Sequence, residues 1–418
     1  MTIRKVGPFA GVNNTDEEEA LGQRDLREAV NVDLTDKGLL KLRQGFSLLA
    51  SGNFHSLWAG ENGAYAVKDN TLVKINSDFT TSPIRTGLAP GRRVTYGEVA
   101  GKVFYSNGDA SGCVVAGEDR PWGVEIPNPP AATTVSDGPL NAGAYTIKIT
   151  AVDSYGEEGG ASRLVTHAVS QGQGIELALP VATSSSTAEF NVYVSSTNDD
   201  QLYLMASAPP GTSVAVSPHH RSFPLETDQM GPMPAGIVLG TANGRIAVAS
   251  GNAVWFSEPL AYGRTRLTRN YLAFEHEIVD GAPVDGGWFV GTETGVFFVS
   301  GRDPETAELV TASMATPVRG TFRHIDSARL GDGDTGGRAV VWLSSKGFMA
   351  GFADGSVKEL TSKRFSAPIG NVGATQLIEK AGLSKLLCTL KSPVDEDNNM
   401  ALGDRVTAEV IRNGVVIN

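Results

Sequence analysis

Two histidine-containing segments could do chemistry in this chain. In Glu275-His276-Glu277 the two carboxylates would lie on one face of a strand, about 7 Å apart, a spacing that a glycosidase acid–base pair can use. The pair His219-His220 is a poor start for a metal site, because neighbouring residues on a strand face opposite ways. A single tripeptide is weak support for catalysis, so we do not assign an active site to it.

Two acidic clusters alternate oxygen-bearing side chains as calcium loops do. The first runs from Asp332 to Gly336 and lacks the later glutamate that completes such a loop. The second begins at Asp395 and has Met400 where an EF-hand needs glycine. We interpret both clusters as solvated turns, and the sequence predicts no metal and no cofactor.

No motif of a known catalytic machinery is present. The chain lacks a G-x-S-x-G elbow, a phosphate-binding P-loop and an H-E-x-x-H pair. We therefore predict no catalytic residue and classify the protein as a non-enzyme.

Three arginines stand close together at Arg264, Arg266 and Arg269. They would contact phosphates if they lined a nucleic-acid channel. They would equally form salt bridges between subunits, and in a ring assembly we favour that second interpretation.

The composition describes a folded, acidic chain. It has 418 residues, 41% of them hydrophobic, and a net charge of −11. The negative charge disfavours broad contact with DNA or with anionic membranes, and it suits a surface past which DNA slides without sticking. Two cysteines without C-x-x-C spacing predict neither a disulfide framework nor a zinc site. No apolar run reaches the roughly 18 residues of a membrane span. We expect synthesis and folding in a reducing cytoplasm.

A glycine-punctuated hairpin recurs along the chain. Residues 288–301 read as two apolar strands about a polar turn, and copies of this pattern begin near positions 55, 94, 237, 285 and 338. Outside one long gap the period is about 40 to 50 residues, the length of a β-propeller blade. The sequence predicts a degenerate propeller, with another all-β arrangement as the alternative. The turn at Asn413-Gly414 suggests that the last strand closes the ring against the N-terminal one.

The gap holds a segment of a different kind. Tyr145, Ile147, Ile149 and Ala151 alternate with polar residues, and turns follow about every ten residues. We predict an inserted β-sandwich, and its pattern resembles fibronectin type III modules. The predicted organisation is an arm at 1–46, first blades at 47–128, the insertion at 129–218 and the remaining blades at 219–418.

The arm contains the one helix signal of the chain. Thr15 can cap a helix with Glu18 three residues on, and an acidic run follows it in the first turn. Residues 31–46 then predict a hairpin about the turn at 36–38.

The arm also carries a family resemblance. An early F-x-G-x-N-N, an acidic segment and a later N-V-D…G-L-L-K-x-R-x-G resemble the start of tail-nozzle (tail-hub) proteins of tailed bacteriophages, although Gln44 departs from the pattern. The resemblance implies a virion structural protein, made in the host cytoplasm, that forms a homo-oligomeric and sixfold ring at the end of the DNA-ejection channel. DNA would pass through without specific binding, and the partners would be the portal or adaptor protein and tail fibres. The residues expected to dock on an adaptor or a neighbouring subunit are Phe9, Asn13, Asn14, Glu17, Glu18, Arg24 and Arg27.

Two other functions stay open at this stage. A carbohydrate-active propeller enzyme would need carboxylates and arginines that converge in the central channel, and the missing Asp-boxes count against it. A tail-tip or baseplate protein of a long-tailed phage would bind glycans through the inserted sandwich.

Overall fold

The computed structural model describes residues 7–35, 37–43, 45, 47–218, 223–301, 303–330, 336–361, 364–366, 370, 372–380, 383–391, 405–412 and 415–417. Within these ranges the regular elements are strands and two short 3-10 turns, and no α-helix occurs. The all-β prediction is therefore confirmed. No helix of the described chain is long and apolar enough to cross a membrane.

The N-terminal arm consists of two small sheets. One pair of strands is parallel, the other is the antiparallel hairpin that the sequence predicts. Gly38 closes that hairpin at φ +68, and an added Cβ would lie 2.5 Å from the Phe9 carbonyl oxygen. The arm strands are β1 (Gly11–Val12), β2 (Asp25–Leu26), β3 (Val32–Leu34) and β4 (Leu40–Leu42).

The predicted arm helix is wrong. Only Glu18–Ala20 form a 3-10 turn, which begins at Glu17 without a side-chain cap. The Thr15 hydroxyl donates to Asn13 Oδ1 at 3.2 Å, and the chain turns again where Asp25 Oδ2 accepts from the Gly22 N–H at 3.3 Å. Glycine weakens a helix interior, so the acidic run had no long helix to continue into.

Two four-stranded antiparallel sheets follow the arm, and we call them blades 1 and 2. Each is a meander in which consecutive strands pair. Blade 1 comprises β5 (Phe54–Gly60), β6 (Gly63–Lys68), β7 (Thr71–Ile75) and β8 (Thr81–Arg85), and blade 2 comprises β9 (Thr95–Val99), β10 (Lys102–Ser106), β11 (Ser111–Val115) and β12 (Glu118–Arg120).

The inserted segment forms a β-sandwich. One sheet has the order β13-β17-β20, and the other has the order β15-β14-β18-β19, with β16 also paired to β14. The alternating side chains Tyr145, Ile147, Ile149 and Ala151 all lie in the core between the sheets, as predicted. The strands are β13 (Ala131–Val135), β14 (Gly143–Asp153), β15 (Glu158–Ala161), β16 (Val165–Val169), β17 (Gly174–Ala178), β18 (Thr187–Ser195), β19 (Leu202–Ala208) and β20 (Ser213–Ala215).

Four further sheets follow the sandwich, and we call them blades 3 to 6. A short strand before blade 3, β21 (Met230–Pro232), pairs outside the blades with β25. Blade 3 has the order β22-β23-β24-β26, and the other three are meanders. The strands are β22 (Ile237–Ala242), β23 (Arg245–Ser250), β24 (Ala253–Phe256), β25 (Arg264–Arg266), β26 (Tyr271–Ala273), β27 (Ile278–Val284), β28 (Gly287–Thr292), β29 (Gly295–Ser300), β30 (Glu308–Ser313), β31 (Arg323–Asp326), β32 (Arg338–Ser344), β33 (Gly347–Gly351), β34 (Val357–Glu359), β35 (Val372–Lys380), β36 (Leu383–Lys391), β37 (Arg405–Arg412) and β38 (Val415–Ile417).

The blades stand side by side around one axis. Successive blades share hydrophobic clusters, from the one between blades 1 and 2 to the one between blades 5 and 6. The first strands of all six described blades line a common central cavity. This arrangement is a six-bladed β-propeller, with the sandwich inserted between blades 2 and 3.

The arm packs on the C-terminal side of the propeller. Asp33 in β3 accepts from Lys385 of blade 6 at 2.6 Å, and Asp25 pairs with Arg364 after blade 5. The hydrogen bonds from Lys385 and Arg43 outweigh the burial of Asp33 and lower the pKa of its carboxyl. The last strand, β38, belongs to the blade 6 sheet and also lies against β1 of the arm, in line with the expectation that it meets the N-terminal strand; the Asn413-Gly414 turn lies outside the described residues.

Candidate functional site

The central cavity, which we call the axial cavity, has a volume of about 930 Å³. Its lining is the set of first strands of the blades, because a propeller places these strands around the axis. Among the described residues its charged lining is three arginines and two carboxylates, and two histidines join them. They are Arg93, Arg323, Arg338, Glu98, Asp280, His55 and His324.

Asp280 ties together one end of the axial cavity, where the first strands begin. It is nearly buried, with 5% of its side chain exposed. Its Oδ2 accepts from the Gly320 N–H at 2.7 Å and from Arg93 at 3.2 Å, so it joins blades 2, 4 and 5. Gly320 has φ +91, and an added Cβ would lie 2.0 Å from the Gly373 carbonyl oxygen of blade 6. Four blades therefore meet at this carboxylate.

The opposite end is crossed by Arg338. Its Nη1 donates to the Thr241 carbonyl oxygen at 3.0 Å, which links blade 5 to blade 3. The other carboxylate of the cavity, Glu98, accepts from the N–H groups of Glu61 at 2.9 Å and Asn62 at 2.6 Å. Both carboxylates of the axial cavity are thus engaged in holding the ring together.

His324 lies in the wall of the axial cavity. Its side chain is exposed to the cavity, but the surrounding protein removes much of its contact with water. This desolvation, together with the nearby positive charges of Arg338 and Arg323, lowers the pKa of the imidazole to about 4. Asp285 opposes this shift. The imidazole is therefore neutral at pH 7.

We expect the His324→Gln variant to flatten the acid side of the stability profile. Between pH 6.5 and pH 4 the unfolded chain holds a proton that folded His324 does not, so stability falls as the pH falls through that window. Urea unfolding of the wild-type protein and of the variant at several pH values measures the difference. Parallel curves for the two proteins would contradict the assignment.

The predicted acid–base tripeptide is placed elsewhere. Glu275, His276 and Glu277 lie in the loop between β26 and β27 rather than on a strand, and none of them lines the axial cavity. Both glutamates are exposed, and Glu277 pairs with Arg319 at 3.6 Å. The expected pair of carboxylates on one strand face is therefore absent here, because β26 ends at Ala273.

The arginine run also lies away from the axis. Arg264 Nη1 donates to the Glu158 carbonyl oxygen of the sandwich at 3.0 Å, and Arg269 pairs with Glu305 before β30 at 3.2 Å. Arg266 stands 3.8 Å from Glu258. Arg264 therefore joins blade 3 to the sandwich and Arg269 joins it to blade 4, while the expected channel or subunit contacts of the three arginines stay a prediction.

Arg264 lines a second cavity of about 420 Å³ between blade 2, the sandwich and blade 3. There Lys102 pairs with Glu157 at 2.8 Å, and the Arg120 guanidinium stacks over Tyr155. Burial raises the pKa of the Cys113 thiol in this cavity to about 12. These contacts fix the sandwich against the propeller.

Two of the predicted docking residues are used within the chain. Asn13 is buried, and its Nδ2 donates to Asp16 Oδ2 at 2.8 Å. Asn14 exchanges hydrogen bonds with the backbone of Ser366, at 3.0 Å through Nδ2 and 2.8 Å through Oδ1. Their amides hold the arm in shape and bind it to its own propeller, and the docking of a partner by these two side chains stays a prediction.

The other predicted docking residues lie nearer the surface. Glu17, Glu18, Arg24 and Arg27 are exposed, and Phe9 is half-buried. Both arginines also donate to backbone carbonyls of the arm, Arg24 to Pro8 at 3.0 Å and Arg27 to Asp16 at 2.6 Å. These side chains remain compatible with a partner surface.

The arm and the few residues after it expose many apolar side chains that the sequence analysis did not single out. Each of them is at least 43% exposed, which is unusual for so many large aliphatic residues close together in a chain. We call this set the arm apolar surface. Its members are Val30 (66% exposed), Leu39 (50%), Leu40 (43%), Leu42 (79%), Leu48 (85%) and Leu49 (66%).

The residues that the sequence analysis weighed as metal ligands fall outside the part of the chain that the structure describes. Within the described ranges, no group of three or more histidine, cysteine, aspartate or glutamate side chains is placed to hold a metal. His219, His220, Asp332, Asp334 and the cluster at 395–399 lie outside those ranges.

The fold defines the class of the protein as a six-bladed propeller with an inserted sandwich. Comparison with known proteins assigns it to no family. No family model and no curated protein matches the sequence. Among solved structures, AztD of Citrobacter koseri is 11% identical over 87% of this chain and 85% of its own, with a TM-score of 0.38. BBS1N in complex with ARL6DN is 10% identical over 79% and 85%, with a TM-score of 0.29. PorZ of Porphyromonas gingivalis is 10% identical over 85% and 54%, with a TM-score of 0.22. None of these three is described as a phage protein, and such scores support no conclusion about function.

Sequence reasoning missed the residues of the axial cavity for an identifiable reason. Arg93, Asp280, Arg323 and Arg338 belong to no motif and come from three different blades. The one available signal was a charge inside an otherwise apolar strand, as at Asp280 in I-V-D-G-A-P-V.

Proposed function

We propose that this protein is a structural subunit of a bacteriophage tail, a nozzle or hub that assembles into a ring at the end of the DNA-ejection channel. Two observations support the proposal: the tail-nozzle resemblance of the arm, and the arm apolar surface. The second carries it, because a surface of this kind is stabilised when a partner covers it.

The arm is well placed to serve as such a contact. Asp33 with Lys385, and Asp25 with Arg364, hold it on blades 5 and 6 of its own chain. A two-stranded hairpin alone is marginally stable, so further packing on β3 and β4 would add stability. A neighbouring subunit or the adaptor would supply that packing.

A closed ring needs a second, different surface on the same subunit. The outer strand of blade 4, β30, is a candidate for it. Its residues after Glu308 include no charge and no proline, and Leu309 and Val310 are 50% and 54% exposed. Proline and short, charged strands both protect a sheet edge against pairing with another chain. The outer strand of blade 1 contains Pro83, and the outer strand of blade 2 is three residues long and entirely charged. The edge of β30 lacks them and offers backbone groups to a neighbouring chain.

The conduit in this proposal lies between subunits and not through the propeller. The axial cavity is crossed at one end by Arg93 and Asp280 and at the other by Arg338 and Thr241. A DNA duplex has no path along that axis. The acidic net charge of −11 suits a surface past which DNA slides without sticking.

A carbohydrate-active propeller enzyme is the second candidate. The observation in its favour is that arginines and carboxylates do line the axial cavity. Against it, Asp280 and Glu98 are both engaged by hydrogen bonds within the ring. This arrangement favours holding a ligand over transferring a proton to one.

Electron microscopy of the purified full-length protein tests the proposal. We expect negatively stained rings, sixfold in class averages, with a mass by light scattering that corresponds to the same number of copies. A monomer at all accessible concentrations, with no ring on addition of the adaptor protein of the same phage, would contradict it. Hydrolysis of a glycan panel at enzyme-like rates would favour the second candidate instead.

A further inference from the structure

Arg323 is an arginine without a counter-ion in the wall of the axial cavity. It begins β31 and is half-buried, and within the described residues its side chain has no hydrogen bond and no ion pair. The other two arginines of the cavity do have partners, Asp280 for Arg93 and the Thr241 carbonyl oxygen for Arg338. Removing a guanidinium from water without such a partner is unfavourable.

The carboxylates nearby are already in use. Asp285 acts electrostatically on the adjacent His324, and its Oδ2 accepts from the backbone N–H of Arg338 at 2.9 Å. Glu98 binds the backbone of Glu61 and Asn62. Among the described residues, the lining carries one more positive than negative charge, although the whole chain carries −11.

The same cavity has an apolar wall. Trp58 and Tyr96 line it and stack on each other, with ring centroids 5.6 Å apart and an interplanar angle of 22°. Phe322, which precedes Arg323, also lines it. The volume of about 930 Å³ falls in the range of small-molecule pockets, roughly 300 to 1,000 Å³.

We propose that the axial cavity binds a small organic anion, whose carboxylate or phosphate group pairs with Arg323 and whose body packs on the aromatic wall of Trp58 and Tyr96. Arg338 lies on the neighbouring strand of the same blade and adds positive potential. The contacts at both ends limit the ligand to a small molecule and exclude a polymer. This site is separate from the arm apolar surface, so it does not depend on the ring.

Titration calorimetry on the full-length protein tests the site, with inorganic phosphate, citrate and benzoate as separate probes in buffer of matched ionic strength. We expect at least one probe to bind saturably with one site per chain. Phosphate alone would identify a phosphate-binding site, whereas citrate or benzoate alone would identify a carboxylate site. The absence of saturable binding by all three probes would overturn the proposal.

Two variants locate the binding. Arg323→Gln should weaken the affinity for the bound probe at least tenfold. It should also leave the ligand-free protein as stable as the wild type or more so, because it removes an unpaired charge. The control is Arg319→Gln, which removes an arginine that pairs with Glu277 and does not line the cavity. Equal affinity in Arg323→Gln and the wild type would overturn the proposal, and ring formation is scored separately by electron microscopy.

Discussion

The Asp280→Ala variant should lose about 1–3 kcal/mol of unfolding free energy, the usual effect of leaving buried hydrogen-bond donors without their acceptor. The physical reason is that Arg93 and the Gly320 N–H both lose their acceptor at once. These two donors belong to blade 2 and to the entry of blade 5, so the loss weakens the ring at its axis. Urea unfolding followed by tryptophan fluorescence measures the change.

A matched control is available in blade 2. Asp109 pairs with Arg92 at 2.9 Å, but both side chains are about half exposed, 51% and 55%. Asp109→Ala should therefore cost less than about 1 kcal/mol, as exposed ion pairs do. Equal losses for the two variants would show that Asp280 has no special role in joining the blades.

The double variant Leu42→Glu with Leu48→Glu should abolish ring assembly. Each leucine is at least 79% exposed in the single chain, so the substitution costs the isolated subunit little. If both are buried in a contact, their loss removes about 3–6 kcal/mol at that interface. Association should then weaken by roughly 100-fold or more. Sedimentation velocity of the variant and the wild type over a concentration series measures this.

The control for the arm is Leu164→Glu, which places the same charge at a half-exposed leucine of the sandwich, 54% exposed. We expect this protein to assemble as the wild type does. The double variant could instead form rings as the wild type does, with an unaltered melting temperature. In that case the ring contact lies on another surface and the arm does not have its proposed role.

Local structure was largely predictable from the sequence. The hairpin at residues 288–301 forms as expected, with Thr292 opposite Gly295. The alternation of Tyr145 to Ala151 correctly predicted which side of β14 is buried. Both patterns depend on neighbours a few residues apart, and strand periodicity directly reports which face is apolar.

Other elements were misjudged where the local signal was weak. The fourth and fifth repeats were expected to begin near 285 and 338, but their blades begin one strand earlier, at β27 and β31. Those first strands contain Gly281 and Pro283 in one case and Arg323 and His324 in the other, residues that are uncommon in buried strands. The axis of the propeller tolerates them, because first strands border a cavity as well as a core.

The sequence by itself determined the class of the protein: an all-β chain of repeated hairpins with a sandwich between two of them. Only the tertiary structure decided which side chains meet. Asp280 and Arg93 are 187 positions apart, and Asn14 and Ser366 are 352 apart. Strand patterns are set by interactions within a few residues, whereas such contacts exist only after every blade has taken its place around the axis. For that reason, the spacing of the arginines in the sequence could not show which of them line the axial cavity. Arg323 lines it, whereas the three arginines at 264–269 do not.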